Sequence, residues 1–517
     1  MLTFVVVFWA LGGASVLGAG QANDSYQIYV QKECSFTRYP SICVQTMTGS
    51  GLGHDQQHVD IMLALANKTI SETMLATSEF VIFSSQFKLG GKLGAREAQR
   101  VHSVVGHYYC EELMNMSLKR LDQSLLALKQ SPRKNKRDIQ AWLSAALTFQ
   151  DTCKDYSSGQ ISKRIDNASQ LVSNLLALVN RIASNHTTTV TNHRSVDQGL
   201  FAKWVSRRDR KLLQATAIKA DAVVAKDGSG NYKTVSEAIN AASGGRFVIY
   251  VKAGVYEEKI HTKKYGITLI GDGKYSTIIT GDDGVAKAVT GDGFIARDIG
   301  FQNTAGPEGE QALALYISSD RSVLYRCSIV GYQDTLYAYA LRQFYRECDI
   351  YGTIDFIFGN AAAVFQSCDL VLRRNKGYNA ILANGRSDPG QKTGFSVQNC
   401  RIIPSSDLSP VKHSYSSYLG RPWKQYSRAV VMESTIDDVI APQGWVEWPG
   451  ARGSSLKTLY FAEYANVGPG AGVGKRVQWP GFHVIGADEA VEFTVSNFIA
   501  GTSWLPSTGV TFVSGLH

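Results

Sequence analysis

Four polar side chains in the second half of the chain have the types and the spacing needed for acyl-transfer chemistry. Gln311, Gln333 and Asp355 follow one another at intervals of 22 residues, and Asp334 stands beside the second of them. That interval is close to one turn of a parallel β-solenoid, in which residues one turn apart share a face. Two carboxylates and two amides would supply a nucleophile, an acid–base group and oxyanion donors. A structural ladder of stacked amides would give the same interval.

The strands that must position these residues are predicted to begin near residue 218. Runs such as FVIYVKAG, GITLIGD and STIITGD alternate there with Gly, Asp and Asn. Four segments share a cysteine, any residue and then Ile or Leu: YRCSI, YRECDI, FQSCDL and VQNCRI. Their cysteines are 21, 20 and 32 residues apart. This repeat predicts an all-β parallel β-helix, and a β-sandwich of short strands is the competing fold.

Residues 28–185 are predicted to form an all-α four-helix bundle. HVDIMLALANKTISETML and the run from Ile161 to Ile182 carry apolar residues at three- and four-residue spacing, and few glycines interrupt them. A polar linker, 186–213, then leads to the β-rich part, 214–517. Within it, KWVSRRDRKLL places five basic residues in nine positions. We interpret this cluster as a site for a processing protease, with a solvated charged linker as the alternative.

The first 22 residues are predicted to be a signal peptide. The chain is apolar from Leu2 to Ala19, and small residues precede the polar Gln21. An uncleaved signal anchor is the alternative, because the run is nearly long enough to span a bilayer. The prediction is therefore a secreted protein.

Charge is distributed unevenly along the 517 residues. The chain is 44% hydrophobic and 19% charged, which is typical of a globular protein. Its net charge is +9, yet residues 214–517 carry 29 Lys and Arg against 28 Asp and Glu. The basic excess is N-terminal, and the second half has no basic stripe or nucleic-acid-binding motif. We therefore expect no nucleic-acid partner.

Cysteines and glycosylation signals add to the expectation of secretion. No cysteine spacing typical of zinc occurs, no metal site is predicted, and disulfides are the default in a secreted chain. The eight cysteines form two even groups: Cys34, Cys43, Cys110 and Cys153, then Cys327, Cys348, Cys368 and Cys400. The Asn-x-Ser/Thr sequons are Asn23, Asn67, Asn115, Asn167 and Asn185. Glycans on these asparagines would decorate only the N-terminal part.

Six motifs in order resemble those of the plant pectin methylesterases. They are KDGSGNYKTVSEAI, GVYEE, QALAL, GYQDTLY, TIDFIFGN and LGRPW. Upstream, CSFTRYPSIC resembles the hairpin that opens a pectin methylesterase inhibitor-like domain. The resemblance implies a right-handed parallel β-helix with a cleft along it. It also implies hydrolysis of methyl-esterified homogalacturonan to pectate and methanol, in the cell wall (apoplast), by a monomer without a cofactor.

The same resemblance assigns roles to the polar residues. Asp355 matches the family nucleophile, Asp334 the general acid/base, and Gln311 and Gln333 the oxyanion donors. Arg421 of LGRPW matches the arginine that pairs with the nucleophile and contacts substrate. An always-charged, rigid guanidinium would keep one carboxylate ionised, whereas that carboxylate would raise the pKa of its neighbour. The two carboxylates would thus take different roles.

Two tryptophans match residues that line the sugar cleft of the family. They are Trp423 of LGRPW and Trp448 of WVEWP, and burial in the core is the alternative reading for each. One departure is visible after GYQDTLY, where the family commonly continues with a small or apolar residue and then His-Ser. Residues 338–340 are Ala-Tyr-Ala here. We expect altered substrate contacts or pH behaviour near the cleft.

The resemblance also implies disulfide pairs. Cys34–Cys43 and Cys110–Cys153 match the inhibitor-like family, Cys368–Cys400 is the pair expected in the enzyme part, and Cys327–Cys348 is less certain. The helical region would act as an inhibitor protein that covers the cleft, or would only assist folding and transport.

Two other functions compete with the esterase. A glycosidase or lyase acting on polygalacturonate would use the same scaffold, since paired carboxylates also serve glycosidases. A protein without catalysis would inhibit other esterases or bind the wall. A serine esterase is disfavoured because no Gly-x-Ser-x-Gly elbow occurs.

Overall fold

The computed structural model describes most of the chain. The described residues are 26–48, 58–87, 97–157, 159–183, 219–282, 284, 287–450, 453 and 455–517. The chain divides into two compact units, Met1–Thr188 and Thr189–His517. The predicted signal peptide and the basic cluster at 203–211 lie outside the described residues. Among those described, no helix combines the length and apolarity that crossing a bilayer requires.

The first unit is helical. Its helices are α1 (26–34), α2 (Pro40–Thr48), α3 (His58–Phe87), α4 (Glu97–Gln130), α5 (Lys136–Asp155) and α6 (Gly159–Arg181). The last four pack in a ring, α3 against α4, α4 against α5, α5 against α6 and α6 against α3. Their apolar faces meet in one core that includes Leu143 and Leu175. This arrangement is a four-helix bundle.

Both predicted disulfides of the helical unit are present. Cys34–Cys43 closes the hairpin between α1 and α2, and Cys110–Cys153 links α4 to α5. The Asn174 side chain of α6 binds the backbone of the hairpin. Its Oδ1 accepts from the Tyr39 N–H at 2.9 Å, and its Nδ2 donates to the Tyr39 carbonyl at 2.8 Å.

Three parallel sheets make up the second unit, and the chain visits them in a fixed order as it coils. Sheet 1 contains β1 (Ala222–Val224), β2 (Phe247–Val251), β5 (Ile267–Gly271), β8 (Ile295–Arg297), β11 (Ser322–Tyr325), β14 (Arg342–Arg346), β17 (Ala362–Gln366), β20 (Gly394–Gln398), β23 (Arg428–Met432), β25 (Tyr460–Tyr464) and β26 (Phe482–Val484). Sheet 2 contains β3 (Gly254–Glu257), β6 (Thr277–Gly281), β9 (Gly300–Asn303), β12 (Ser328–Val330), β15 (Asp349–Gly352), β18 (Asp369–Leu372), β21 (Arg401–Pro404) and β24 (Thr435–Ile436). Sheet 3 contains β4 (Ile260–Thr262), β7 (Lys287–Val289), β10 (Leu315–Ile317), β13 (Leu336–Ala338), β16 (Ile354–Gly359), β19 (Asn379–Asn384) and β22 (Ser417–Pro422).

Short helices complete this unit. They are α7 (Val235–Ala241), α8 (Ser455–Thr458), α9 (Ala487–Ala490) and α10 (Val495–Phe498). The 3₁₀ turns are Pro307–Gly309, Ser409–Ser414, Val473–Lys475, Val491–Phe493, Gly501–Ser503 and Leu505–Thr508. A capping box starts α7, in which the Thr234 hydroxyl accepts from the Glu237 N–H and the Glu237 side chain accepts from the Thr234 N–H.

A single residue with left-handed backbone joins sheet 1 to sheet 2 in successive coils. Arg326, Glu347, Ser367 and Asn399 occupy this corner with φ of 51°, 54°, 55° and 52°. Each directly precedes one cysteine of the repeat. The cysteine spacing is therefore the length of the coil, as the solenoid prediction requires.

The four cysteines of the β-helix are free, buried thiols: Cys327, Cys348, Cys368 and Cys400. The predicted Cys368–Cys400 and Cys327–Cys348 disulfides are therefore wrong. Strand pairing sets the residues that follow the cysteines opposite one another, so the thiols stack in one inward-facing column. In-register neighbours on parallel strands lie about 4.8 Å apart and point the same way, whereas bonded cysteines have Cβ atoms about 3.8 Å apart.

The described sequons lie on the helical unit. Asn67 and Asn115 are exposed on α3 and α4, and Asn167 is half-buried on α6. Asn23 and Asn185 lie outside the described residues. Glycosylation stays a prediction for all five.

Candidate active site

Asp355 occupies an irregular point of sheet 3. Ile354 pairs with Ala380 and Ile357 with Leu382, so β16 has one residue more than β19 between these pairs. Asp355 lies inside this bulge with φ of 50°. A bulge redirects a side chain, and such irregularities recur beside active sites. Asp355 is nevertheless only 5% exposed.

Arg421, near the end of β22, binds both oxygens of Asp355. Its Nε donates to Oδ1 at 2.8 Å and its Nη2 to Oδ2 at 2.7 Å. The guanidinium also donates through Nη1 to the Tyr378 hydroxyl. Burial raises the pKa of Asp355, and Arg421 opposes that rise. The fork therefore orients a carboxylate and favours its ionised form.

Asp334 lies beside Asp355 on the preceding coil. Its N–H donates to the Ile354 carbonyl at 3.0 Å, and Leu336 stands opposite Ile357, an offset of 21 residues. Burial, with a smaller contribution from Asp355, raises the pKa of Asp334 to about 7. The charge of Arg421 opposes this rise with the smallest of the three effects, whereas Arg421 binds both oxygens of Asp355. Asp334 is therefore a carboxyl that holds its proton near neutral pH.

The two glutamines are neighbours on adjacent coils. Gln311 and Gln333 form a parallel bridge, as the 22-residue spacing predicts. Gln311 is exposed and Gln333 half-buried. The next coil is one residue shorter at this point, so Asp355 aligns with Asp334 rather than with Gln333. The 22-residue interval therefore predicts the pairing of Gln311 with Gln333 correctly. The two carboxylates are instead aligned at an interval of 21 residues.

The two tryptophans flank this site and neither is fully buried. Trp423 lies 6.0 Å from Phe358 and 6.5 Å from Tyr337, measured between ring centroids. Trp448 covers the guanidinium of Arg421, whose Cζ lies 4.1 Å from the ring centroid. The alternative interpretation, that these tryptophans belong to the buried core, does not fit, because both side chains are partly exposed.

The unusual Ala-Tyr-Ala at 338–340 is buried, with Tyr339 only 1% exposed. The Tyr339 ring lies 4.8 Å from that of Tyr337 and 5.4 Å from that of Tyr316. Tyr337 in turn stacks on Phe358 at 4.1 Å. Any effect of this departure on substrate would pass through Tyr337, because Tyr339 itself is covered.

Two residues missed by the sequence reasoning belong to the site. Tyr378 accepts a hydrogen bond from Arg421. Ala383 lies on β19 between Phe358 and Arg421 in one register row. β19 lies between β22 and β16, so the Arg421 side chain crosses β19 to reach Asp355, and Ala383 shares its face of the sheet. Neither residue lies in one of the family motifs, and β19 also contains Ala380, so no sequence signal singles out Ala383.

A leucine at position 383 would test this crossing. We expect Ala383→Leu to displace the Arg421 side chain and lower kcat/KM about 10²-fold, since a misplacement near 1 Å has effects of that size. The matched control is Ala288→Leu, which lies in the same outward row two strands before Tyr337. Equal activity of both variants would contradict the crossing; steady-state kinetics and thermal unfolding measure the outcome.

Comparison with known proteins adds family relationships. The family model described as Pectinesterase matches residues 221–502, and that of Plant invertase/pectin methylesterase inhibitor matches residues 29–178. Probable pectinesterase/pectinesterase inhibitor 54 of Arabidopsis thaliana is 48% identical over 511 residues, covering 95% of this chain and 94% of the relative. Pectinesterase 2 of Citrus sinensis is 48% identical over 431 residues, covering 79% and 81%.

A solved structure agrees with the architecture of the second unit. Pectin methylesterase from carrot is 50% identical, with a TM-score of 0.57, and the match covers 59% of this chain and all of that one. Together with the inhibitor family model over the helical residues, this confirms the predicted fold: a helical region followed by a right-handed parallel β-helix.

Proposed function

Because this chain belongs to the pectinesterase family, with an inhibitor-family region before the enzyme, we propose that Asp355 forms an acyl-enzyme with the methyl-esterified carboxyls of homogalacturonan. The observation that carries the proposal is the fork from Arg421 to Asp355 beside a carboxyl of raised pKa. Arg421 orients one carboxylate and favours its charged form, and the neighbouring carboxyl keeps its proton up to a pH of about 7. Such a pair divides into nucleophile and general acid.

In the first half-reaction an Asp355 oxygen attacks the ester carbonyl carbon. The carbonyl oxygen becomes an oxyanion, which the side-chain amides of Gln311 and Gln333 would stabilise by donating N–H. The bond to the methoxy oxygen then breaks. Asp334 gives its proton to that oxygen, methanol leaves, and a mixed anhydride joins Asp355 to the galacturonate carbonyl.

In the second half-reaction the ionised Asp334 takes a proton from water as the water attacks the anhydride carbonyl. The bond to Asp355 breaks and releases the galacturonic acid group, which loses its proton to solvent and becomes a carboxylate. Asp355 returns ionised and Asp334 returns protonated, so one water is consumed for each methanol released. Trp423, half-buried at the edge of the site, would contact a sugar ring.

Methanol release from methylated pectin tests this function. We expect residues 214–517 to release methanol while the polymer keeps its length. New reducing ends would indicate a glycosidase, and unsaturated products absorbing in the ultraviolet would indicate a lyase. Either product without methanol would contradict the esterase mechanism, and binding without any product would support a wall-binding protein.

The raised pKa of Asp334 predicts a decline of activity on the alkaline side. The first half-reaction needs Asp334 protonated, and its pKa is raised to about 7. We therefore expect kcat/KM to fall as pH rises through about 7, because the ionised form cannot protonate methoxide. In Asp334→Asn the remaining activity should lose this limb. If the alkaline limb of kcat/KM stayed at the same pH in that variant, the limb would belong to a group other than Asp334.

For the whole chain we propose secretion to the cell wall and cutting at the basic cluster. The first unit would inhibit the enzyme in the precursor, or assist its folding. Mass spectrometry of secreted protein should then find a species that begins between Leu212 and Ala217. Detection of only uncut protein would count against processing there.

A further inference from the structure

A segment that follows β22 lies against the edge of sheet 3 next to Arg421. Gly420 forms a parallel bridge with Trp445, and the Val446 N–H donates to the Gly420 carbonyl at 3.1 Å. These contacts continue sheet 3 by one more rung, directly beside the proposed partner of the nucleophile. We call residues 442–448 the strap.

The strap ends on the guanidinium. Trp448 lies with its ring centroid 4.1 Å from the Arg421 Cζ, while the N–H groups of Arg421 reach Asp355 and Tyr378. A cation–π contact occupies the face of a guanidinium and leaves its edge for hydrogen bonds. Trp448 therefore restricts the plane in which the two bonds to Asp355 lie.

Trp445 is the first anchor of the strap. It is 1% exposed and belongs to the core of the last coils. Its ring stacks on Phe461 with centroids 4.4 Å apart, and its indole N–H donates to Glu463 Oε1 at 3.2 Å. A buried aromatic with both a stacking and a polar partner has one available orientation.

A buried ion pair is the second anchor. The side chains of Arg476 and Glu463 are each 1% exposed, and Nε donates to Oε1 at 2.7 Å. Arg476 also donates from Nη1 to the Pro442 carbonyl at 3.0 Å. A Cβ on Gly444 would lie 2.4 Å from Arg476 Cδ, so the strap passes directly over the arginine. Desolvation offsets the attraction of such a pair, and its fixed geometry is then its main contribution.

We propose that Trp445, Glu463 and Arg476 are positioning residues for the esterase reaction, acting through the strap and Trp448 on Arg421. This inference rests on the function proposed above. It assigns to the last coils a part in catalysis, although none of these three buried residues contacts Asp355. Trp448 would then have two roles, since it would line the sugar cleft and also orient the guanidinium of Arg421.

The measurement that tests this proposal is the acidic limb of the pH profile, the range in which kcat/KM falls as the pH decreases. Among the described residues, the charged or titratable groups that face Asp355 are Asp334, Arg421 and, through the arginine, Tyr378. Arg421 opposes the burial that raises the pKa of Asp355. A loosened guanidinium would let that pKa rise further, so activity at low pH would be lost first.

The experiment compares Trp448→Leu, Glu463→Gln and Trp445→Phe with the wild type in the full chain. We expect the acidic limb of kcat/KM to move up by about half a pH unit or more in the first two, with kcat falling about 10-fold and KM changing less. Trp445→Phe keeps an aromatic ring that can stack on Phe461 but loses the indole N–H, and it should shift the limb less. Trp448→Phe keeps an aromatic face and should restore part of the loss.

The matched control is Asp320→Asn, which breaks a buried ion pair with Arg342 away from the strap. We expect both Asp320→Asn and Glu463→Gln to lower the thermal midpoint, and Asp320→Asn to leave the acidic limb in place. If Glu463→Gln and Trp448→Leu also left the limb and kcat unchanged, the positioning role would be refuted. Wild-type turnover in Asp355→Asn would instead refute the proposed mechanism itself, so the two failures are distinguishable.

Discussion

Asp355→Asn should reduce turnover by at least about 10⁴-fold, the range found when a covalent nucleophile is removed. An amide oxygen does not form the acyl bond, so the loss should appear in kcat. The replacement is nearly isosteric, and asparagine tolerates the left-handed backbone that this position adopts, with φ of 50°. Methanol release under saturating pectin measures the effect.

The control for this variant is its binding and folding. Circular dichroism and retention on a pectin matrix should stay close to wild type, because Trp423 and Trp448 are untouched. Turnover near the wild-type level would assign the nucleophile to another group. If Asp355→Asn lost its folded signal, the pH profile of Asp334→Asn would test the same carboxyl pair through its alkaline limb.

Arg421→Ala should lower both turnover and stability. The side chains of Arg421 and Asp355 are 9% and 6% exposed, so the variant leaves a buried carboxylate without its partner. Breaking such a pair typically costs about 3–5 kcal/mol of unfolding free energy. We expect kcat/KM to fall about 10³-fold, at the upper end of what one lost stabilising donor produces. Denaturant unfolding and steady-state kinetics measure the two effects separately.

Arg421→Lys separates charge from geometry. An ammonium is a point charge and cannot donate the two parallel bonds that the guanidinium makes. We expect most of the stability to return and little of the activity. Its acidic limb should also lie above that of the wild type, because the pKa of Asp355 is less effectively held down. Full recovery of activity would show that charge alone suffices.

The repeat length was predictable from the sequence because it is a local property of the coil. The cysteine intervals gave the turn length, and the interval from Gln311 to Gln333 gave a real strand neighbour. The same interval places Asp355 opposite Gln333, whereas the shorter next coil aligns it with Asp334. In addition, β16 contains a bulge against β19. A bulge depends on packing across coils and has no periodic signal.

Other features required contacts between distant segments. Arg421 was found only through a motif, since it lies outside the spacing. The disulfides predicted for the β-helix are wrong because the number and spacing of cysteines do not give the direction of their side chains. Ala383, Tyr378 and the anchors of the strap act through neighbours far along the chain, which a single sequence does not bring together.

The strand pairing that the strap adds to sheet 3 affects whether copies of this protein can associate through their sheet edges. A sheet edge with unpaired N–H and C=O groups is a template on which a second chain can pair, and a parallel β-helix ends in several such edges. The strap covers the edge of β22 through Gly420 and Trp445, and Val467 pairs with Thr435 of β24. With these pairs in place, the edges of β22 and β24 offer fewer unpaired N–H and C=O groups to a second copy of the chain.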